Sequence, residues 1–211
     1  VWKEGRRGAG SRKGGKRMKR RLLIGVSGAT GIPITEELLR QLAAFPEVER
    51  HLILTEAAEH VAGQEGTCSL EELKALADVV YDNANRGAGP ASGTFPTMGM
   101  VIVPCSMKTV AGIASGYSDN LLLRAADVTL KERRPLVLVA RECPLGTVHL
   151  RNLLEVSRLG AVVLPPMLSY YQHPRSVEEL TRHVVGKILR QLGLEPAGAY
   201  EWEGMSWEEN H

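Results

Sequence analysis

Arg21-Leu22-Leu23-Ile24-Gly25-Val26-Ser27 is a short run, apolar on both faces, that leads directly into Gly28-Ala29-Thr30-Gly31. Such a run reads as a buried strand. Pro33 then stands where a first helical residue belongs, and Leu38, Leu39, Leu42 and Ala43 continue at helical spacing. Strand, glycine turn and helix in this order let a backbone approach a phosphate, with the helix N-terminus offering N–H groups and a positive dipole end. A glycine turn that merely packs a helix onto a sheet reads the same way. The second strand ends at Thr55 rather than at an acidic residue, which argues against a dinucleotide and leaves a mononucleotide.

The same alternation continues outward. Strands are expected at 48–54, 100–103, 135–140 and 161–164, and helices at 57–64, 109–115, 120–131 and 151–159. Ser69-Leu70-Glu71-Glu72 and Ser176-Val177-Glu178-Glu179 read as capping boxes, the second opening an amphipathic helix through Val184, Ile188 and Leu192. Residues 82–97, rich in Gly, Pro, Asn and Ser, read as a long loop, and long loops in compact domains are often functional. Strands alternating with helices predict an α/β fold: a doubly wound, flavodoxin-like or Rossmann-like parallel sheet with helices on both faces. Ligands in such folds bind beyond the carboxyl ends of the strands. Four polar segments end strands here: Ser27 to Gly31, Thr55-Glu56, Pro104 to Thr109 and Arg141 to Pro144.

The 211 residues suit one α/β domain, taken as 18–193, with a tail at 194–211. Residues 1–17 hold seven Lys or Arg and one acid, leaving the rest of the chain mildly acidic, with 19 basic and 23 acidic side chains. That basic, glycine-rich head is expected to be disordered, with Met18 a candidate true start and the head a possible artefact. The acidic body carries no nucleic-acid footprint. No apolar run approaches the roughly 20 residues of a membrane span. The three cysteines, Cys68, Cys105 and Cys143, are widely spaced. They fit a reducing cytoplasm rather than a disulfide framework or zinc site, and no metal is expected.

Several segments carry candidate chemistry. Pro104-Cys105-Ser106-Met107-Lys108-Thr109 offers hydroxyls and amides to flavin carbonyls or phosphate, and equally forms an N-cap cluster. Arg141-Glu142, after the apolar run 136–139, either clamps a phosphate and moves a proton or forms a plain ion pair. Lys131-Glu132-Arg133-Arg134 reads as a solvated helix end. His149 and His183 read as structural or surface residues, Cys105 as a small buried hydrophobe, and a lone Tyr171 as packing.

Taken together, these segments resemble the flavin prenyltransferase (UbiX-type) family, formerly called aromatic-acid decarboxylases and related to the FMN-dependent cysteine decarboxylases. The matching motifs are Gly28 to Gly31, Ala91-Ser92-Gly93, Met100 to Thr109, Asn120 to Asp127, Leu130 to Val139, Arg141 to Leu145 and Tyr171 to Pro174. The resemblance implies a cytoplasmic homododecamer with its site at subunit junctions. That site would transfer a dimethylallyl group from dimethylallyl phosphate to reduced FMN, making prenylated FMN for a partner decarboxylase. On this resemblance FMN lies across Gly28, Ala29, Thr30, Thr55, Ser106, Met107, Thr109 and Arg124. The donor phosphate is held by Ser92, Lys131, Arg141, Tyr171 and Lys187, and Glu65 and Glu142 assist proton transfers, with Lys131 and Arg141 also counted as catalytic. Three positions depart from the family pattern: Thr30 replaces Ser, 32–35 lacks the usual Tyr and Gly, and Lys187 replaces Arg. The alternatives are an FMN-dependent oxidative decarboxylase of cysteine-ended substrates, with His60 as candidate base, and a non-catalytic flavin carrier.

Overall fold

The computed structural model describes residues 19–196, so the basic head and the tail beyond 196 lie outside the described residues. Six strands form one parallel sheet: β1 (Arg20–Val26), β2 (Val48–Leu54), β3 (Val79–Asp82), β4 (Gly99–Cys105), β5 (Leu136–Ala140) and β6 (Val162–Val163). The spatial order is β3-β2-β1-β4-β5-β6. The chain therefore winds outward from β1 in one direction, then from β4 in the other, as in Rossmann-type sheets. Seven helices connect and cover the strands: α1 (Ile32–Leu42), α2 (Glu56–Glu65), α3 (Leu70–Ala75), α4 (Met107–Ser115), α5 (Leu121–Lys131), α6 (Thr147–Arg158) and α7 (Val177–Gln191). This is the doubly wound α/β sandwich expected from the sequence.

The pleat explains why the central strands read as unbroken apolar runs. Leu22, Ile24, Val26, Val101, Val103, Val137 and Val139 enter one core, with α1 and α7 side chains such as Leu38 and Ile188. Their alternate neighbours Leu23, Met100, Ile102, Leu136 and Leu138 enter the other, against α4 and α5 side chains such as Val110 and Leu122. Each fully buried Leu, Ile or Val contributes about 1.5–3 kcal/mol. The buried carboxylate of Glu36 is satisfied by hydrogen bonds as well as by Arg40, whose Nη2 lies 3.6 Å away. It accepts from Thr67 N at 2.9 Å, Cys68 N at 3.4 Å and the Thr67 hydroxyl, which fastens the α2–α3 turn to α1.

Three expectations need correction. β3 lies where no strand was expected; it is a four-residue edge strand with alternating half-buried and exposed positions, too short for a periodic signal. α6 begins at Thr147, a turn earlier than expected, where the His149 ring accepts from Gly146 N at 3.2 Å. The second capping box is only half formed. Ser176 accepts from Glu179 N, but the Glu179 carboxylate reaches Arg175 N instead of Ser176 N. The first, Ser69 with Glu72, is complete. Leu194, 3% exposed, packs into the α7 core.

Candidate flavin and phosphate site

β1 and β4 are neighbours whose following helices leave toward opposite faces, so their C-terminal loops border a crevice. Ser27, at the end of β1 and 1% exposed, staples the two loops. Its hydroxyl donates to Pro104 O at 3.1 Å and accepts from Ser106 N at 2.8 Å. Thr55 N donates to Val26 O at 3.0 Å, and Arg141 N donates to Cys105 O at 3.0 Å. The four strand-ending segments therefore form one continuous edge.

Gly28 is required where it stands, because an added Cβ would fall 2.5 Å from the Ala57 Cβ on α2. Gly31, at φ +128°, adopts a backbone that side-chain-bearing residues avoid. The N–H groups at the start of α1 do not stay open as the sequence suggested. Glu65, the last residue of α2, accepts from Gly31 N at 2.6 Å, Ile32 N at 3.0 Å and the Thr30 hydroxyl. A carboxylate from the next helix thus fills the anion seat of this one. Glu65 and Thr30 are brought together, with Ala29 turned back so that its N–H donates to Ser27 O at 2.8 Å.

Two further hydroxyls cap helices along the same edge. Thr55 Oγ1 accepts from Ala58 N at 3.2 Å. Ser106 Oγ lies 3.1 Å from Thr109 Oγ1 and accepts from Thr109 N at 3.4 Å. The N-cap reading and the ligand reading of Ser106 to Thr109 are thus compatible, since one hydroxyl holds the helix while Met107 and Thr109 line its first turn. Cys105 is fully buried, and that burial pushes its thiol pKa far up, which removes it as a nucleophile.

The cations come from α5 and the end of β5. Arg124 donates to Ala91 O at 3.3 Å and pairs with Asp127 at 2.6 Å. Lys131 pairs with Glu132 at 2.7 Å, and that ammonium holds the Glu132 carboxyl below its ordinary range. Arg134, read from sequence as solvated, instead donates to Gly93 O at 2.7 Å and Phe95 O at 2.9 Å. The loop carrying Ser92 is therefore sewn to α5, with the Ser92 hydroxyl 2.8 Å from that of Thr94. Arg141 and Glu142 are exposed. Among the described residues they form no ion pair with each other, and Glu142 accepts from Cys143 N at 3.0 Å.

Tyr171 and Lys187 lie elsewhere. They share a groove of about 740 Å³ between α1, the 169–174 segment and α7, whose lining includes none of Ser92, Lys131, Arg141 or Glu142. One chain thus does not gather all five expected phosphate ligands into one cavity. Sequence reasoning named Ser27 only as the start of a polar segment and read Arg134 as solvated: a hydroxyl at a strand end and a base at a helix end are too common to stand out without the fold.

A glycine turn and strand-end hydroxyls at the switch point of a doubly wound sheet define a mononucleotide-binding α/β protein. The flavoprotein family model matches residues 11–189. A probable UbiX-like flavin prenyltransferase of Sedimentibacter hydroxybenzoicus is 50% identical over 184 residues, covering 87% of this chain and 97% of the relative. Of solved structures, a dodecameric FMN-dependent UbiX-like decarboxylase from Escherichia coli O157:H7 superposes with TM-score 0.85 at 47% identity, covering 87% of this chain and all of the other. AnUbiX (PadA1), in complex with FMN and dimethylallyl pyrophosphate, superposes with TM-score 0.86 at 42% identity, covering 89% of this chain and all of the other. The chain belongs to the UbiX-like flavin prenyltransferase family, and it is a flavoprotein enzyme.

Proposed function

We propose that the chain joins the dimethylallyl group of dimethylallyl phosphate to N5 and C6 of reduced FMN, with flavin on the β1–β4 edge and donor phosphate on the cations beside it. The observation that carries this reading is the continuous edge of Gly28, Thr30, Thr55, Ser106 and Thr109, with Arg141 hydrogen-bonded through its backbone to the β4 loop. Hydroxyls and a close backbone approach suit a ribityl phosphate and a flat ring system; Arg141, at the end of β5, supplies charge beside them. Reduced FMN, the acceptor substrate, supplies an electron-rich ring that can receive an allylic carbon.

The chain's part is electrostatic. When the allylic C–O bond breaks, its electron pair leaves with the phosphate. Lys131, Arg141 and Lys187 stabilise that developing charge, most strongly where water is excluded. As the N5–C bond forms, the N5 proton is released to Glu142, next to Arg141, which passes it to the departing phosphate oxygen; ring closure moves a second proton, from C6 to the allylic chain, for which Glu65, holding the glycine turn beside Thr30, serves as relay. Lys187 keeps the charge of the family's usual Arg without its bidentate fork.

Tyr171 and Lys187 reach the site from another copy of the chain. Met167 and Tyr170, after β6, and Val148 and Leu154, on α6, are apolar side chains left 72%, 67%, 56% and 52% exposed. Self-association covers such side chains, and the 47% identical relative is described as dodecameric. The product serves a partner decarboxylase, and three free cysteines suit the cytoplasm. Among the described residues no helix is long and apolar enough to cross a membrane.

Anaerobic incubation with reduced FMN and dimethylallyl phosphate should release phosphate and yield a heavier flavin by mass spectrometry. Unmodified FMN with no phosphate released would leave the carrier reading standing.

A further inference from the structure

We infer that Arg134 is a positioning residue for the donor phosphate: its guanidinium pins the 92–97 segment so that Ser92 stands beside Lys131. This rests on the reading above, in which Ser92 and Lys131 hold that phosphate.

The backbone decides where Arg134 points. Just past α5, Arg133 takes the left-handed conformation at φ +54°. Arg133 N donates to Leu130 O and Arg134 N to Thr129 O, both at 2.9 Å, the paired bonds of a Schellman motif. Pro135 follows, and the residue before a proline is biased to extended backbone. Arg134 is thus constrained from both sides before its side chain makes any bond.

The half-buried guanidinium then makes three bonds into one short segment. Nη2 donates to Gly93 O at 2.7 Å, and Nη1 donates to Phe95 O at 2.9 Å and to Thr97 Oγ1 at 3.3 Å. A guanidinium only donates and a carbonyl only accepts, so the direction of the first two bonds is fixed by chemistry. Among the described residues no carboxylate lies within ion-pair distance of Arg134, so loop carbonyls are what it holds.

Those carbonyls belong to the turn that Phe95 N closes on Ser92 O at 3.1 Å. The Phe95 ring seats the same turn from its other side, with Arg21 Cζ 4.5 Å from its centroid and the His51 ring edge-on at 5.7 Å. Gly93 is in turn pressed onto the end of α5. A Cβ there would fall 3.0 Å from Lys131 Nζ and overlap the Glu132 carboxylate. Lys131 is placed by its helix; Ser92, one residue before Gly93, is brought to it by Arg134.

The test is steady-state kinetics of the intact protein with saturating reduced FMN and varied dimethylallyl phosphate. Ser92→Ala and Arg134→Ala should each raise the donor KM about 3- to 10-fold, with a smaller change in kcat and FMN affinity within about twofold. Because Arg134 acts through Ser92, the double variant should be no worse than Ser92→Ala alone. Arg134→Lys, which keeps the charge and can reach one carbonyl, should recover part of the loss, and it carries the test if Arg134→Ala fails to fold. Arg133→Gly removes the neighbouring exposed cation at a position that suits glycine, and should leave the donor KM unchanged. An unchanged KM in Ser92→Ala would overturn the reading of Ser92 as a phosphate ligand. A raised KM in Ser92→Ala with none in Arg134→Ala, or fully multiplicative effects in the double variant, would overturn the role of Arg134. An equal rise in Arg133→Gly would do the same, since local charge rather than loop position would then be what matters.

Discussion

The β1–β4 edge and the 165–187 arm are built by opposite strategies. At the edge, backbone and side-chain groups satisfy one another before any ligand arrives: Ser27 joins two loops, Glu65 fills the start of α1, and Ser106 caps α4. In the arm, Met167, Leu168, Tyr170 and Tyr171 stand exposed after a two-residue strand. The edge is a preorganised receiver within one chain. On the proposed reading the arm is half a site, completed by another copy of the chain. Substitutions in the two regions should therefore fail differently.

The largest effect is expected at Gly28. A branched side chain in Gly28→Val would collide with Ala57, and overpacking of this kind costs about 1–3 kcal/mol. FMN affinity should fall roughly 100-fold if the shift is taken up by the flavin loop, measured by flavin fluorescence titration. Retained yellow colour at wild-type affinity would detach the glycine turn from the cofactor. On the arm, Leu154→Asp combined with Met167→Asp should leave FMN binding within about threefold. Prenyl transfer should fall roughly 30-fold as the species becomes smaller in sedimentation. Loss of FMN with assembly intact would reverse the comparison.

Ser27→Ala probes the edge more gently. It removes the bond to Pro104 O and leaves the Ser106 N–H without its acceptor. A buried, unsatisfied group of this kind costs about 1–2 kcal/mol, readable as a lower urea midpoint with an unchanged m-value. The donor KM should move less than the FMN affinity.

The contrast also explains what could be read from sequence. Central strands buried on both faces announce themselves as apolar runs, and a capping residue such as Ser69 marks a helix start by local chemistry alone. The edge was legible as four polar segments because each directly follows such a strand. Glu65 came only through family resemblance; its link to Thr30 spans 35 residues, and no local pattern encodes it. Arg134 was misread for the same reason. It looks like an ordinary helix-end base until the fold places Gly93 beside it. β3 was missed because four residues are too few for a periodic signal.

The smallest effect is expected far from both regions and serves as their control. Asp78, just before β3, accepts from Arg50 N and Nε at 2.8 and 2.9 Å, and its second oxygen accepts from Arg50 Nη2 at 3.1 Å. These bonds pull the Asp78 carboxyl down to about 2 against desolvation, which acts the other way. A carboxyl more acidic in the folded chain than in the unfolded one stabilises the fold above the unfolded value, near 4. That contribution is lost as pH falls from about 4 through 2. The pair is partly exposed, so solvent screening limits its worth to about 1 kcal/mol or less. Asp78→Asn should therefore lower stability slightly at pH 7 and flatten the acid limb between about pH 4 and 2, while FMN affinity and donor KM stay at wild-type values. If either ligand constant moved with this substitution, the sheet would be transmitting strain from its opposite rim to the crevice, and the independence of edge and arm would no longer hold.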